Sequence, residues 1–185
     1  MSKIPYDLGQ IRAFVFDVDG VLSPSVVPTA EDGRPRRMAN VKDGFALKQA
    51  LTAGYKIAII TGADTPDVAN RMAIIGIKDV FMAAGNKLAL LKEWMQNNGL
   101  NPGEVAYAGD DVPDIECMRY VGLSVAPADA DAEVCELAVY VSTRDGGHGV
   151  ARELIQETML AQGLWPASAK AYGLGQNHRE CRACA

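Results

Sequence analysis

Two aspartates, Asp17 and Asp19, stand at the end of a short apolar run, and Gly20 follows them directly. The run predicts a buried strand, and open α/β sheets bind ligands at the carboxyl ends of their strands, where the loops form a crevice. Paired carboxylates in such a crevice favour Mg²⁺, which proteins hold with one or two carboxylates together with substrate phosphate oxygens. An ordinary Asp-Gly turn after a buried strand explains this fragment equally well, so three later segments decide between the interpretations.

Thr61-Gly62 is a second polar strand end, after the apolar run at residues 56–60. The threonine hydroxyl and the glycine N–H could hold an anion, and a helix that starts soon afterwards would add its positive end. Lys87 opens another predicted helix, where its charge opposes the helix dipole, and it could serve a nearby anion. An ordinary turn and an exposed lysine are the simpler alternatives for these two segments.

Asp110, Asp111 and Asp114 crowd the end of a third apolar run, at residues 105–108. Carboxylates packed so closely repel one another, and a bound cation would neutralise them. A solvated acidic loop would also explain these residues, but not the recurrence of polar side chains at a third strand end. The three segments together predict a phosphate and metal site at one edge of a sheet.

The order and spacing of these residues resemble the haloacid-dehalogenase-like phosphohydrolases over about residues 12–152. The residues that carry the resemblance are Asp17, Asp19, Thr61, Lys87, Asp110 and Asp114. The second aspartate points to phosphatases or phosphomutases, because the dehalogenase branch has no acid there. The resemblance implies an α/β fold with a Rossmann-like parallel sheet sandwiched by helices.

The resemblance assigns a separate chemical role to each aspartate of the first pair. It implies that Asp17 is the nucleophile, which attacks phosphorus in line to form an aspartyl-phosphate. Asp19 would protonate the leaving alcohol and later activate water as a general base. Mg²⁺ would be bound by Asp17, the backbone carbonyl of Asp19 and Asp110, and would offset the repulsion between nucleophile and phosphate.

The remaining polar residues of the four segments receive supporting roles by the same resemblance. Thr61 and Lys87 would hold the oxygens of the transferring phosphoryl group. Asp111 and Asp114 would position bound water or Lys87 from behind the metal ligands.

Apolar runs and helical spacing predict an alternating order of elements around these residues. Strands are predicted near residues 12–16, 56–60, 79–82, 105–108, 121–125 and 138–141. Helices are predicted near residues 43–53, 65–74, 86–98, 113–119 and 147–162. Strands and helices that alternate in this way form a parallel sheet covered by helices.

The segment after the first strand end is too short to form a cap domain. Residues 23–41 are rich in proline and glycine and predict a small projecting β-hairpin. We therefore expect a single phosphatase domain over residues 1–165, followed by a tail at residues 166–185 without its own core. Larger relatives use a cap to exclude water, so neighbouring subunits could supply the missing wall of a capless site.

A closer resemblance covers nearly the whole chain and concerns capless tetrameric phosphatases that act on 3-deoxy-D-manno-octulosonate 8-phosphate, a lipopolysaccharide precursor. The matching segments include residues 17–22, 40–44, 59–62, 86–87, 109–111, 121–125, 128–129 and 146–149. The resemblance implies substrate contacts from Asp19, Asn40, Lys42, Asp43, Gly44, Lys48, Thr61, Gly62, Arg71 and Lys87. It also implies a homotetramer whose active sites are shared between subunits.

Four positions depart from the pattern of that family. Lys42 and Lys48 stand where arginine is frequent, Ala63 replaces an arginine after Thr-Gly, and His148 replaces one in a glycine-rich loop. Lysine cannot reproduce the two-pronged contact of arginine. The substrate could therefore also be a nine-carbon 2-keto-3-deoxy sugar acid 9-phosphate or another small phosphate ester. Without the resemblance, Lys48 and Arg71 would be interpreted as part of a solvated helix face.

A non-catalytic Mg²⁺-binding assembly protein is the alternative from a different functional class. It would be expected to lack a catalytic element of the phosphohydrolases. The chain retains the complete set, which consists of Asp17, Asp19, Thr61, Lys87 and Asp110. The sequence therefore favours the enzyme.

The composition is that of one compact, acidic enzyme. The chain has 185 residues, of which 49% are hydrophobic and 22% charged, and a net charge of −5. Scattered basic residues argue against nucleic-acid binding, and no apolar run reaches the roughly 18 residues of a membrane span. Without a secretory signal we expect a cytoplasmic protein with reduced cysteines. The pair Cys181 and Cys184 is either an incidental terminal sequence or a zinc or redox motif.

Overall fold

The computed structural model describes residues 2–166, in which a six-stranded parallel sheet forms the centre. The strands are β1 (Ala13–Phe16), β2 (Lys56–Ile60), β3 (Asp79–Phe81), β4 (Val105–Ala108), β5 (Leu123–Ala126) and β6 (Tyr140–Val141). Their order across the sheet is β3-β2-β1-β4-β5-β6. The chain therefore builds one half of the sheet outward from β1, returns, and builds the other half outward from β4.

Helices cover both faces of the sheet. They are α1 (Val41–Thr52), α2 (Pro66–Ile75), α3 (Lys87–Asn97), α4 (Ile115–Tyr120), α5 (Ala132–Leu137) and α6 (Val150–Ala161). One face is packed by α1, α2 and α6, with Leu47 and Leu154 in its core, and the other by α3, α4 and α5, with Trp94 and Met118. Because both faces are covered, β1, β4 and β5 are buried along their whole length. β1 and β4 are continuous apolar runs, whereas β5 includes the buried Ser124.

The observed elements confirm the predicted α/β sandwich. Each predicted strand and helix is present, with shifts of a few residues at its ends. The helix α5 was not predicted, because only Val134 of its six residues is fully buried and no helical repeat marks it. Its start is fixed locally by Asp131, whose side chain accepts the Glu133 N–H at 3.0 Å.

Residues 23–41 fold back on themselves in a narrow turn rather than in two regular strands. A single antiparallel bridge joins Thr29 and Pro35, and the Ala30 N–H donates to the Arg34 carbonyl at 2.8 Å. Prolines in the segment have no N–H to extend the ladder. Between β1 and α1 there is no further helix or sheet, so no cap domain is inserted there.

Residues 167–185 lie outside the described part of the chain, and with them almost all of the predicted tail and the Cys181–Cys184 pair. In the described part, Cys117 and Cys135 are free thiols. Burial raises the pKa of Cys117 to about 12, so this thiol stays protonated and unreactive. Between residues 2 and 166, no helix combines the length and the apolar character needed to cross a bilayer.

Candidate active site

The carboxyl ends of β1, β2 and β4 bring the predicted site residues to one edge of the sheet. Phe16, the last residue of β1, is level with Ile59 of β2 and Ala108 of β4. The turns that begin at Asp17 and Thr61 therefore leave the sheet side by side, together with the acidic loop after β4. The direction of chain winding reverses between β1 and β4, and such a switch point is where open α/β sheets bind ligands.

Lys87 lies at the centre of a buried network and is only 7% exposed. Its Nζ lies 3.1 Å from Asp17 Oδ1 and donates to Asp114 Oδ1 at 2.9 Å. Tyr107 of β4 donates its hydroxyl to the same Asp114 oxygen at 2.6 Å, and the Asp110 N–H donates to the other oxygen at 3.3 Å. Asp114 therefore joins the lysine to the backbone of the acidic loop, with Tyr107 as a rigid anchor inside the sheet.

The network contains more carboxylates than cations. Burial, followed by repulsion from neighbouring carboxylates, raises the pKa of Asp17 to about 6 and that of Asp110 to about 7. Burial opposes the charge of Lys87, but Asp17 and Asp114 outweigh it and raise the lysine pKa. The excess negative charge is what a bound cation would neutralise.

The donor atoms of this network fit a hard divalent cation. Asp17, Asp110 and Asp114 each place a carboxylate oxygen within 4.8 Å of the others. Asp17 Oδ1 is buried and has no well-oriented hydrogen-bond donor. Gly20 has a φ of +79°, and a Cβ there would lie 1.8 Å from Asp110 Oδ2, so only glycine lets this carboxylate approach the turn after β1. Carboxylate oxygens brought together in this way are ligands that Mg²⁺ prefers.

Asp19 is held by Arg37, a residue that no sequence motif marks. Arg37 Nε and Nη2 donate to the two carboxylate oxygens of Asp19, each at 2.8 Å. Arg37 Nη1 donates to Thr65 Oγ1, also at 2.8 Å. In the sequence, this arginine is one of three in a proline-containing loop, Arg34, Arg36 and Arg37, so its contact with Asp19 could not be predicted from local pattern.

Thr61 and Gly62 form the turn between β2 and α2. Thr61 is buried and its Oγ1 accepts the Ala63 N–H at 3.1 Å, which leaves the hydroxyl proton available to another acceptor. Gly62 is exposed, and α2 begins a few residues later at Pro66. The turn thus offers a hydroxyl, a backbone N–H and a helix N-terminus to an anion.

A cavity of about 130 Å³ lies between the turn after β1, α1 and α2. Among the predicted substrate contacts, Asn40, Asp43, Gly44 and Arg71 line it. Gly44 lets the Arg71 guanidinium lie against α1, because a Cβ there would come within 2.6 Å of Arg71 Nη2. The structure therefore brings these four residues together next to the segment that carries Arg37.

Three predicted site residues belong neither to the buried network around Lys87 nor to the lining of the cavity. Asp111 is exposed and accepts the N–H of Val112 at 2.7 Å, so its carboxylate caps its own turn. Lys42 and Lys48 are exposed on α1 and do not line the cavity.

The glycine-rich loop 146–149 packs on the other side of the turn after β1, where its Gly146 N–H donates to Asp129 Oδ1 at 2.7 Å.

Asp43 is a buried carboxylate in the cavity wall, with 3% of its surface exposed. Its Oδ1 accepts the Arg152 N–H in the first turn of α6 at 2.6 Å, whereas its Oδ2 has no hydrogen-bond partner. Burial raises the pKa of Asp43 to about 6, against the opposing effect of the Arg152 N–H. A buried carboxylate oxygen without a donor costs stability.

We expect Asp43→Asn to stabilise the ligand-free protein above about pH 6. Because the folded-state pKa of Asp43 is raised, its contribution to the free energy of unfolding falls as pH rises from about 4 to about 6. Asparagine does not titrate, so its contribution to the free energy of unfolding does not change with pH. Its side-chain oxygen can still accept the Arg152 N–H. Urea denaturation should show that the variant's free energy of unfolding exceeds that of wild type by up to about 3 kcal/mol at about pH 8. At about pH 5 the difference should be about half as large. A difference between variant and wild type that does not change with pH would contradict this expectation.

Sequence comparison agrees with the fold and with the arrangement of the acids. The haloacid dehalogenase-like hydrolase family matches residues 75–154. These residues include Lys87 and the acidic loop with Asp110 and Asp114, which the structure places at the switch point of the sheet. Fold and site together define a haloacid dehalogenase-like hydrolase.

Individual relatives narrow the assignment. The 3-deoxy-D-manno-octulosonate 8-phosphate phosphatase of Escherichia coli K12 is 39% identical over 153 residues, 83% of this chain and 81% of that protein. The crystal structure of the Yersinia pestis phosphatase of the same name is 34% identical and superposes with a TM-score of 0.82 over 85% of each chain. The chain therefore belongs to the family of the 3-deoxy-D-manno-octulosonate 8-phosphate phosphatases.

A further solved relative carries ligands. The Moraxella catarrhalis phosphatase of the same name, in complex with magnesium, phosphate and the sugar acid KDO, is 29% identical to this chain. It superposes with a TM-score of 0.80 over 85% of this chain and 90% of that one.

Proposed function

We propose that this protein hydrolyses 3-deoxy-D-manno-octulosonate 8-phosphate to the free sugar acid and phosphate, in the synthesis of lipopolysaccharide precursors. The observation that carries the proposal is the buried Asp17–Lys87 pair at the switch point of the sheet, with Asp110 beside it. The proposal is supported by 39% identity to a phosphatase named for this substrate.

Asp17 and Asp19 divide the chemistry between them in this proposal. Asp17 attacks phosphorus, a new bond forms between its carboxylate oxygen and phosphorus, and the bond from phosphorus to the sugar oxygen breaks. Asp19 gives its proton to the departing sugar oxygen. In the second half, Asp19 takes a proton from water, which displaces phosphate from Asp17. Thr61 and Lys87 hold the phosphoryl oxygens throughout.

The proposed metal is Mg²⁺, held by Asp17, the backbone carbonyl of Asp19 and Asp110. When bound, it supplies positive charge that offsets the repulsion between nucleophile and phosphate. Asp114 is close to these ligands, but its oxygens already accept hydrogen bonds from Tyr107, Lys87 and the Asp110 N–H. We therefore assign Asp114 the task of positioning Lys87.

The cavity beside the turn after β1 suits the sugar acid. Arg71 offers a guanidinium to a carboxylate, and Asn40 offers a polar contact to hydroxyls. Lys42 and Lys48 of the predicted contact set would reach the substrate only from outside this cavity.

We further propose a cytoplasmic homotetramer in which a neighbouring subunit completes each site. The absence of a cap between β1 and α1 leaves the site open on that side. Within residues 23–41, Val26 and Met38 are 87% and 52% exposed, which is apolar surface suited to a subunit contact. Sedimentation velocity of the full chain would test the assembly.

The experiment that tests the function is phosphate release from a panel of substrates in the presence of Mg²⁺. We expect 3-deoxy-D-manno-octulosonate 8-phosphate to be preferred, by about 10-fold or more in kcat/KM, over the nine-carbon 9-phosphate and simple sugar phosphates. A chelator should abolish the release, and added Mg²⁺ should restore it. Preference for the nine-carbon ester would reject the substrate but keep the mechanism, and no release from any ester would favour the non-catalytic alternative.

A further inference from the structure

The side chain of Arg37 is largely buried, unlike those of its neighbours in the segment. Residues 31–39 are otherwise exposed, yet the Arg37 side chain is only 9% exposed because it turns back under the segment. Its three nitrogens are all engaged, two by the carboxylate of Asp19 and one by Thr65 Oγ1. A guanidinium that binds both oxygens of a carboxylate fixes the plane of that carboxylate as well as its distance.

Asp19 depends on this contact for its orientation. Its side chain is 45% exposed, and among the described residues Arg37 is the donor to its carboxylate. Each carboxylate oxygen has two lone pairs, of which the guanidinium uses one, so an outer position of Asp19 remains free to carry the proton that goes to the substrate oxygen and later to accept one from water. Removal of Arg37 would leave the carboxylate free to rotate in solvent.

Arg37 is not the main attachment of its segment. The next residue, Met38, donates its N–H to the buried Oγ of Ser23 at 3.1 Å, and Asn40 caps α1 by accepting the Lys42 N–H at 2.9 Å. These contacts hold the returning chain directly after Arg37. A role of Arg37 in docking alone would therefore duplicate bonds that the segment already has.

We propose that Arg37 is a positioning residue for the reaction, which holds the Asp19 carboxylate where it meets the sugar oxygen that leaves phosphorus. The inference rests on the proposed function, since it acts through the proton transfers assigned to Asp19. The contact to Thr65 ties the same guanidinium to the start of α2, next to the anion-binding turn. Arg37 thus sets the distance between the proton-transferring group and the phosphate site.

The test exploits the leaving group. An alkyl sugar phosphate needs a proton on its leaving oxygen, whereas p-nitrophenyl phosphate releases a stable phenolate that does not. We expect Arg37→Gln to lower kcat/KM, which reports the steps up to departure of the leaving group, about 10- to 100-fold for the sugar phosphate, with a much smaller change for p-nitrophenyl phosphate. Arg37→Lys should recover only part of the loss, because an ammonium cannot hold both carboxylate oxygens. Arg36→Gln, a change at an exposed arginine of the same segment, is the control and should resemble wild type.

A double variant separates positioning from substrate binding. If Arg37 acts through Asp19, Arg37→Gln should add little to the loss already caused by Asp19→Asn. Equal losses with both leaving groups, a rise in KM alone, or independent losses in the double variant would overturn the inference. Thermal unfolding of each variant shows whether it is folded, and an unfolded Arg37→Gln would assign the residue to docking.

The failure of this inference is distinguishable from failure of the proposed function. A wild-type protein that releases phosphate from neither ester overturns both. An active wild type whose Asp19→Asn variant shows no leaving-group dependence overturns the role of Asp19 and this inference with it. An Asp19→Asn variant with the expected dependence, beside an Arg37→Gln variant without it, overturns this inference alone.

Discussion

Substitution of Asp17 by asparagine should reduce phosphate release by about 10,000-fold or more while leaving the protein folded. The amide oxygen is a poor nucleophile and cannot form the aspartyl-phosphate. The fold should tolerate the change, because burial, followed by repulsion from Asp114, raises the pKa of Asp17 to about 6 against the attraction of Lys87. Loss of that carboxylate relieves repulsion in the metal-free protein. Phosphate release and thermal unfolding, measured on the same preparation, check both statements.

The control for this variant is Asp32→Asn, the same chemical change at an exposed aspartate of the 23–41 segment. It should retain wild-type activity. Substantial activity in Asp17→Asn would require another nucleophile and would overturn the proposed mechanism. A loss of folding in Asp17→Asn would instead show that the fold needs this carboxylate. It would contradict the expectation that removing the carboxylate relieves repulsion.

Substitution of Lys87 by methionine should reduce both activity and stability. The lysine is the only cation within hydrogen-bonding distance of Asp17 and Asp114 among the described residues. Its loss leaves the buried carboxylates of Asp17 and Asp114 without a cation, which is expected to cost about 3 kcal/mol or more of unfolding free energy. Phosphate release should fall about 1,000-fold, because the charge that holds the phosphoryl oxygens is gone. Urea denaturation in the presence of a chelator measures the change in unfolding free energy without a contribution from bound metal.

The effect of Lys87 on activity should be separable from its effect on stability. The double variant Lys87→Met with Asp114→Asn removes both members of the buried ion pair and should recover much of the lost stability. Asparagine can still accept the Tyr107 hydroxyl. Activity should not return, because the phosphate site still lacks its cation. Recovery of activity together with stability would mean that Lys87 only balances charge and does not hold the phosphate.

Much of the site could be predicted because it follows from the direction of the strands. Asp17, Thr61 and Asp110 come directly or almost directly after apolar runs, and parallel strands bring their carboxyl ends to one edge. The sequence neighbourhood of each residue therefore determines where it lies. Lys87 is placed as simply, since it opens the helix that follows the third strand in the same half of the sheet.

The partners of these residues could not be predicted in the same way. Arg37 reaches Asp19 because a proline-containing loop folds back, and no periodic pattern describes that path. Tyr107 reads as one more apolar residue of β4, although its hydroxyl anchors Asp114. Asp43 meets the backbone of Arg152, which is 109 positions away in the chain. Each of these contacts depends on tertiary packing, which single-sequence reasoning does not resolve.

The close packing of Gly146 against Gly20 has a consequence for how the enzyme is made. A Cβ at Gly146 would lie 2.0 Å from the Gly20 carbonyl oxygen, so the loop before α6 rests directly on the turn that carries Asp17 and Asp19. The Asp43 carboxylate joins α1 to α6 in the same region. A growing polypeptide that lacks the loop and α6 therefore contains Asp17 and Asp19 but neither the loop that packs against their turn nor the helix that packs on α1. Because domains fold as units from the amino terminus during synthesis, we expect the nascent chain to become an enzyme only when α6 has left the ribosome.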